Sequence, residues 1–166
     1  MARTIAAMKS FKARYERLPN VTLMGITTAA VRQASNQQEF VSRVKKEIGL
    51  DLRILTGDEE AYYDYLGAAT RLKIEDCLIL DIGGASCELI NVKDGKEVNL
   101  ISVPFGAVTL TEQFHLNDVV TAAGLFTAET FLSKRLSDIW WLNDAIHKPL
   151  VLLGGANRTL ARISRK

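Results

Sequence analysis

This 166-residue sequence is poor in several residue types, and each shortage excludes a class of protein. Its 2 cysteines, Cys77 and Cys87, cannot form the disulfide framework of a small secreted domain, so we expect reduced thiols. It has 2 histidines and no CxxC or HExxH motif, which argues against a zinc site. The net charge of +2 gives no indication of a nucleic-acid partner.

Long apolar runs are also lacking. A run such as Cys77–Leu80 is far shorter than the roughly 20 apolar residues that cross a bilayer. The N-terminal stretch is rich in arginine, as transit peptides are, but its apolar side chains recur at helical spacing. We therefore expect an amphipathic helix packed on a core, a cytoplasmic location and no membrane partner.

What is present predicts a globular protein and not a disordered one, because hydrophobic residues make up 48% of the chain and charged residues 24%. In the first part, helices and strands alternate, which is typical of a sheet layered with helices. Asn36 with Glu39, and Thr56 with Glu59, have the spacing of capping boxes that open helices. The predicted elements are a helix ending near Leu18, a strand at 21–26, a helix from Asn36 to Gly49, a strand at 50–55 and a helix from Thr56 to about Arg71.

The pattern then changes to consecutive strands. Apolar stretches at 77–82, 87–92 and 97–103 predict an antiparallel meander, with Asp94-Gly95 as the second turn. Helices near 109–114 and 127–143, a buried strand at Leu150–Leu153 and a last helix after Gly154-Gly155 complete the prediction. Because the two patterns meet near 67–76, we predict domains at 1–70 and 71–166.

The segment from Asp81 to Glu88 carries the clearest chemistry. Asp81 lies near the end of an apolar strand, where an uncompensated carboxylate is costly. Gly83 and Gly84 allow a tight turn whose N–H groups suit phosphate, and Ser86 adds a hydroxyl. With Glu88 at the start of the return strand, both carboxylates could address one phosphate or its Mg²⁺. A plain hairpin with incidental charges is the alternative.

Three further segments suit anions or catalysis less specifically. In Thr56–Ala61, Glu59 has a capping role, so Glu60 is the better candidate for a general base, although a solvated acidic first turn explains both. Thr27–Arg32 and Gly154–Leu160 each follow a strand and open a helix, where an anion can bind, but tight turns look the same.

Taken together, these segments resemble the exopolyphosphatase/guanosine-pentaphosphate phosphohydrolase (Ppx/GppA) family of the actin/sugar-kinase/Hsp70 superfamily. The similar stretches are TTAAVRQASNQQEF, LTGDEEAYYDYLGA, LILDIGGASCELI, SVPFGAVTLTEQF and LLGGANRTLA, spread over nearly the whole chain. The resemblance implies an actin-like, ribonuclease H-like two-lobed α/β fold. It also implies Mg²⁺-dependent removal of a terminal phosphate from inorganic polyphosphate or guanosine pentaphosphate, and allows a homodimer.

The resemblance implies roles for particular residues. Glu60 matches the general base that activates water, and Asp81 and Glu88 match carboxylates that bind metal and position water. The phosphate loop matches Gly83, Gly84, Ala85 and Ser86, and Arg32 matches an arginine that faces the cleft between lobes.

Two departures from the family pattern stand out. Ala85 replaces a third glycine, which is tolerable where φ is negative, and Cys87 replaces a threonine. The family's first phosphate loop, an aspartate-glycine-serine motif, has no counterpart, so we expect an incomplete first lobe and little activity from these residues alone. A non-catalytic phosphate- or nucleotide-binding regulatory homologue is one alternative. A sugar-kinase-like phosphotransferase is another, against which the Glu59-Glu60 pair and the lack of a sugar-binding insertion argue.

Overall fold

A computed structural model describes residues 1–164 of the chain. The chain divides into two compact units, Met1–Thr56 and Gly57–Lys166. This division falls earlier than the boundary at 70/71 that the sequence predicts, because the helix that begins at Gly57 packs on the sheet of the second unit. In the part of the chain that is described, no helix is both long and apolar enough to cross a membrane.

The first unit is a small layer of helices on a two-stranded parallel sheet. Its elements are α1 (Ala2–Tyr15), β1 (Gly25–Thr27), α2 (Ala29–Arg32), α3 (Gln37–Ile48) and β2 (Leu52–Ile54). β1 pairs in parallel with β2, and Ile5, Val44 and Ile48 form the buried core between α1 and α3. The predicted amphipathic N-terminal helix is therefore present and packed on a core.

Helix α3 begins and ends where the sequence predicts. Asn36 is its N-cap residue, although the Asn36 side chain makes no capping hydrogen bond. Gly49 ends the helix in the left-handed conformation with φ of 79°, and its N–H donates to the Lys45 carbonyl. The predicted strand at 21–26 is shorter than expected, because β1 begins only at Gly25 and Met24 is 79% exposed.

The second unit is built around a four-stranded mixed sheet. Its elements are α4 (Gly57–Ala69), β3 (Cys77–Ile82), β4 (Cys87–Lys93), β5 (Lys96–Val103), α5 (Ala107–Gln113), α6 (Ala122–Ser137), a 3₁₀ turn (Leu142–Ala145), β6 (Leu150–Leu153) and α7 (Gly155–Ile163). The strand order is β5-β4-β3-β6, with β3–β4 and β4–β5 antiparallel and β3–β6 parallel. The predicted meander is confirmed, and its Asp94-Gly95 turn has φ of 51° and 73°, as a type I′ hairpin requires.

The two faces of this sheet are covered by different helices. Ala61, Tyr65 and Ala68 of α4 pack on one face, which includes Ile79 and Ile90. The opposite face packs against aromatic and aliphatic side chains from α6 and the segments beside it, among them Phe105, Phe131, Ile139 and Trp141. Helix α6 begins about five residues earlier and ends about six residues earlier than the sequence predicts, and Thr121 caps it through a hydrogen bond from the Gly124 N–H.

Candidate functional site

The site lies at one end of the β3–β4 pair. Asp81 and Glu88 are directly opposite each other in the antiparallel register, one residue before the end of β3 and one after the start of β4. Glu88 is only 2% exposed and shares a sheet face with Ile90 and Val92. The Ser102 hydroxyl donates a 2.7 Å hydrogen bond to Oε1 of Glu88, which partly compensates its burial.

Helix α4 adds two more carboxyl groups on this face. Glu60 and Asp64 are four residues apart, so they lie one turn apart on the same side of the helix. Burial raises the pKa of Asp64 to about 7, and the negative charges of Asp81, Glu88 and Glu60 add to the shift. The four carboxyl groups are therefore close enough to repel one another.

Burial also raises the pKa of both strand carboxyls. For Asp81, the nearby Glu60 adds to the rise, while the positive charge of Arg158 opposes it. For Glu88, hydrogen bonds from Ser102 and Ser86 oppose the rise, and Glu60 and Asp81 reinforce it. A positive ligand at this point would stabilise the charged forms that repulsion disfavours.

The loop between the strands, Gly83–Ser86, is tightly folded. The Gly83 N–H donates a 3.1 Å hydrogen bond to the Ser86 carbonyl, and Ser86 is 3% exposed. Gly83 and Gly84 do not have positive φ, so this turn does not depend on the left-handed conformation that glycine permits. Ala85 likewise has no positive φ, and the methyl group that replaces the family's third glycine is therefore accommodated without backbone strain.

The β6–α7 turn closes on Asp81 from the neighbouring strand. Gly154 has φ of +89°, and a Cβ atom built on it would lie 2.7 Å from Oδ1 of Asp81. Glycine is thus required here both by conformation and by the close approach. The Asn157 side chain in the first turn of α7 donates a hydrogen bond to the Leu153 carbonyl and so stabilises the turn between β6 and α7.

Arg32 lies in the first unit, at the end of α2. Its Nη1 donates a 2.7 Å hydrogen bond to the Leu55 carbonyl, just beyond β2. This bond ties Arg32 to the segment that follows β2, and the predicted phosphate-binding role of Arg32 stays a prediction. In the same segment, the Thr27 hydroxyl is buried without a hydrogen-bond partner.

The carboxylate oxygens at this site are ligands of the type that Mg²⁺ prefers. Mg²⁺ is usually held by one or two carboxylates together with substrate phosphate oxygens and water, so Asp81 and Glu88 suffice as protein ligands. Among residues 1–164, no group of three or more His, Cys, Asp or Glu side chains is arranged as a self-sufficient metal site.

One member of the acidic group was missed by the sequence reasoning. Asp64 follows Glu60 by four residues and precedes the buried Tyr65, so helical periodicity could have placed it near the sheet. What periodicity does not reveal is that Asp64 faces two carboxyl groups on neighbouring strands, because that depends on where α4 crosses the sheet.

The fold and this glycine loop flanked by carboxyl groups define an α/β protein with a candidate phosphate site. The Ppx/GppA phosphatase family model matches residues 1–164, and the chain belongs to this family. A guanosine-5'-triphosphate,3'-diphosphate pyrophosphatase from Pseudoalteromonas atlantica is 31% identical over 132 residues, which are 79% of this chain and 26% of that protein.

Solved structures agree in fold. The crystal structure of the Aquifex aeolicus Ppx/GppA family member is 35% identical, with a TM-score of 0.73 over 98% of this chain and 52% of that one. An exopolyphosphatase structure from Cytophaga hutchinsonii has a TM-score of 0.85 at 24% identity, over 98% of this chain and 53% of that one. These similarities confirm the predicted α/β fold class. The chain spans about half the length of these structures and about a quarter of the curated relative.

Proposed function

We propose that this chain forms part of a hydrolase that removes a terminal phosphate from a phosphoanhydride, either inorganic polyphosphate or guanosine pentaphosphate. One observation carries the proposal: in a member of the Ppx/GppA family, Glu60, Asp81 and Glu88 interact electrostatically beside the Gly83–Ser86 loop. The relatives named for these two substrates support the substrate class.

In this proposal each group has one task. Loop N–H groups hold phosphate oxygens, the Ser86 hydroxyl donates to Glu88, and Asp81 and Glu88 hold the cation that travels with the phosphate. When bound, Mg²⁺ neutralises phosphate charge and polarises the terminal phosphoryl group. Glu60 accepts a proton from the attacking water, which lies in line with the bond that breaks.

The test is phosphate release by the protein as its gene encodes it, with polyphosphate or guanosine pentaphosphate and Mg²⁺. Substituting Glu60→Gln keeps the side-chain shape but removes proton acceptance, so kcat should fall by about 10²–10⁴-fold with KM nearly unchanged. Glu59→Gln is the matched control and should leave both constants almost intact, because glutamine also serves at the third position of a capping box.

Other results would redirect the proposal. If Glu59→Gln abolishes turnover and Glu60→Gln does not, the general base is Glu59. If the unchanged protein binds polyphosphate without releasing phosphate, the non-catalytic regulatory alternative is correct. ATP-dependent phosphorylation of an acceptor would instead support a phosphotransferase.

For a polypeptide consisting of residues 1–166 alone, we propose little or no turnover. The family resemblance implies two phosphate loops, and this polypeptide contains one of them. The loss of a single preorganised donor already costs about 10²–10³ in rate. A colorimetric phosphate assay decides this, and turnover comparable to that of a complete relative would contradict it.

A further inference from the structure

The Gly83–Ser86 loop accepts backbone hydrogen bonds from the start of α5. The Ala107 N–H donates a 2.9 Å hydrogen bond to the Gly83 carbonyl. The N–H groups of Val108 and Thr109 donate to the Gly84 carbonyl, at 2.9 and 3.2 Å. The first N–H groups of a helix lack partners within the helix, and here the carbonyls of the loop supply them.

Gly106, the residue before α5, makes this contact possible. A Cβ atom built on it would lie 2.6 Å from the Gly83 oxygen and 2.7 Å from the Gly84 oxygen. Both are backbone atoms, which cannot move aside as the end of a flexible side chain can. Because Gly106 has an extended φ of −148°, the requirement for glycine here is one of space and not of conformation.

Thr109 fixes the same junction through its hydroxyl. Its Oγ1 accepts a 2.8 Å hydrogen bond from the Gly106 N–H and lies 3.1 Å from the Gly106 carbonyl, to which it can donate. The side chain therefore holds Gly106 in place against the loop, in the manner of a helix cap.

Peptide planarity connects this contact to the opposite side of the loop. In a trans peptide the carbonyl and the N–H of the following residue point in opposite directions. The Gly83 and Gly84 carbonyls point at α5, so the N–H groups of Gly84 and Ala85 point away from it. Successive N–H groups on one side of a loop form an anion-binding concavity. The carbonyl groups, which would repel an anion, point toward α5 instead.

We propose that Gly106 and Thr109 are positioning residues of the phosphate site, which orient the Gly83–Ser86 loop so that its N–H groups and not its carbonyls address the bound phosphate. This inference rests on the proposed phosphate-binding function and extends it to residues that touch neither the phosphate nor the cation.

The experiment measures polyphosphate affinity by calorimetry, with Mg²⁺, in the gene-encoded protein carrying Glu60→Gln so that the ligand stays intact. Gly106→Ala should weaken binding at least about tenfold, since a hydrogen bond to a charged group contributes that much. Thr109→Val keeps the shape of the side chain but removes the hydroxyl, and it should weaken polyphosphate binding several-fold. This variant tests the proposal even if Gly106→Ala does not fold. Thr109→Ser keeps the hydroxyl and should bind as tightly as the protein with Thr109.

Two controls separate positioning from stability. Gly67 lies on the exposed side of α4, where no atom is within 4 Å of an added methyl group. Gly67→Ala should therefore leave the polyphosphate affinity unchanged. Ile90→Val removes a methylene from the core of the same unit and should lower the unfolding temperature while leaving the affinity unchanged.

Each outcome decides something. If Ile90→Val loses as much affinity for a given fall in unfolding temperature as the Gly106 and Thr109 variants do, the positioning role is wrong. If these variants bind as the Glu60→Gln background does, the positioning role is wrong and the phosphate site stands. If that background binds neither polyphosphate nor, in the same assay, guanosine pentaphosphate, the proposed function fails and this inference fails with it.

Discussion

At the scale of single residues, the site concentrates negative charge where burial makes charge costly. Glu88 is nearly fully buried and is stabilised by Ser102, whereas burial and the neighbouring carboxylates raise the pKa of Asp64 to about 7. A carboxylate in such surroundings lowers the stability of the ligand-free fold. Proteins commonly accept such a cost at functional sites, where the perturbed groups are used.

Asp64 gives a prediction with a definite pH dependence. Its folded pKa of about 7 lies above the ordinary 3.8, so folding favours the neutral form. The resulting destabilisation is absent below pH 4, grows as the pH rises to 7 and is constant above that. Asp64→Asn should therefore raise the free energy of unfolding by about 1–2 kcal/mol at pH 8, a figure reduced for the half-exposed position of the group, and by almost nothing at pH 4.

Urea titrations at the two pH values, without divalent cations, measure this difference. Asp58→Asn is the control, because Asp58 lies in the first turn of the same helix but is exposed. It should bring no gain at pH 8. An equal effect of Asp64→Asn at both pH values would show that repulsion among the carboxyl groups is not the cause.

At the scale of elements, the site depends on turns that bring separate strands and helices to one place. β3 supplies Asp81, β4 supplies Glu88, and the β6–α7 turn approaches Asp81 through Gly154. Helix α4 is held over the same sheet, where the Tyr65 hydroxyl donates to the Gly95 carbonyl in the β4–β5 turn. These contacts tie the carboxyl groups of α4 to those of the strands.

Gly154→Ala tests the β6–α7 turn. The substitution would place alanine at a positive φ, and its methyl group would lie only 2.7 Å from Oδ1 of Asp81. We expect a loss of about 1–3 kcal/mol in the free energy of unfolding, measured by denaturant titration, together with weaker polyphosphate binding. Gly67→Ala makes the same substitution in open space on a helix and should stabilise by up to about 1 kcal/mol. Equal effects of the two substitutions would contradict the close approach.

At the scale of the whole molecule, the two units differ in how stable each would be as a separate polypeptide. The second unit has a four-stranded sheet with helices on both faces. The first has a two-stranded sheet and a core centred on Ile5, Val44 and Ile48. Small domains bury a smaller share of their surface, and two-stranded sheets are marginal in water.

We therefore expect residues 57–166, expressed separately, to unfold cooperatively on heating, as followed by circular dichroism. Residues 1–56 alone should show no cooperative transition. If residues 1–56 unfold cooperatively at a temperature similar to that of the whole chain, the small core is more self-sufficient than its burial suggests.

The sequence by itself determined the element order, the meander and its turn. These follow from local rules: Asp94-Gly95 takes the positive φ values of a type I′ turn, and the alternation in β4 buries Glu88 with Ile90 and Val92. Asp81 and Glu88 were predicted to be neighbours because a short turn fixes the register of an antiparallel pair.

Only the tertiary structure decided what depends on contacts between distant segments. Asp64 joins the acidic group because α4 packs on the sheet face that carries Asp81 and Glu88, and Gly106 must be glycine because α5 begins against the loop. The start of β1 and the start of α6 also differ from the prediction, since packing and capping outweigh short-range pattern at element ends. Local sequence encodes turns and periodicity, but a helix's position over a sheet follows from packing many side chains at once.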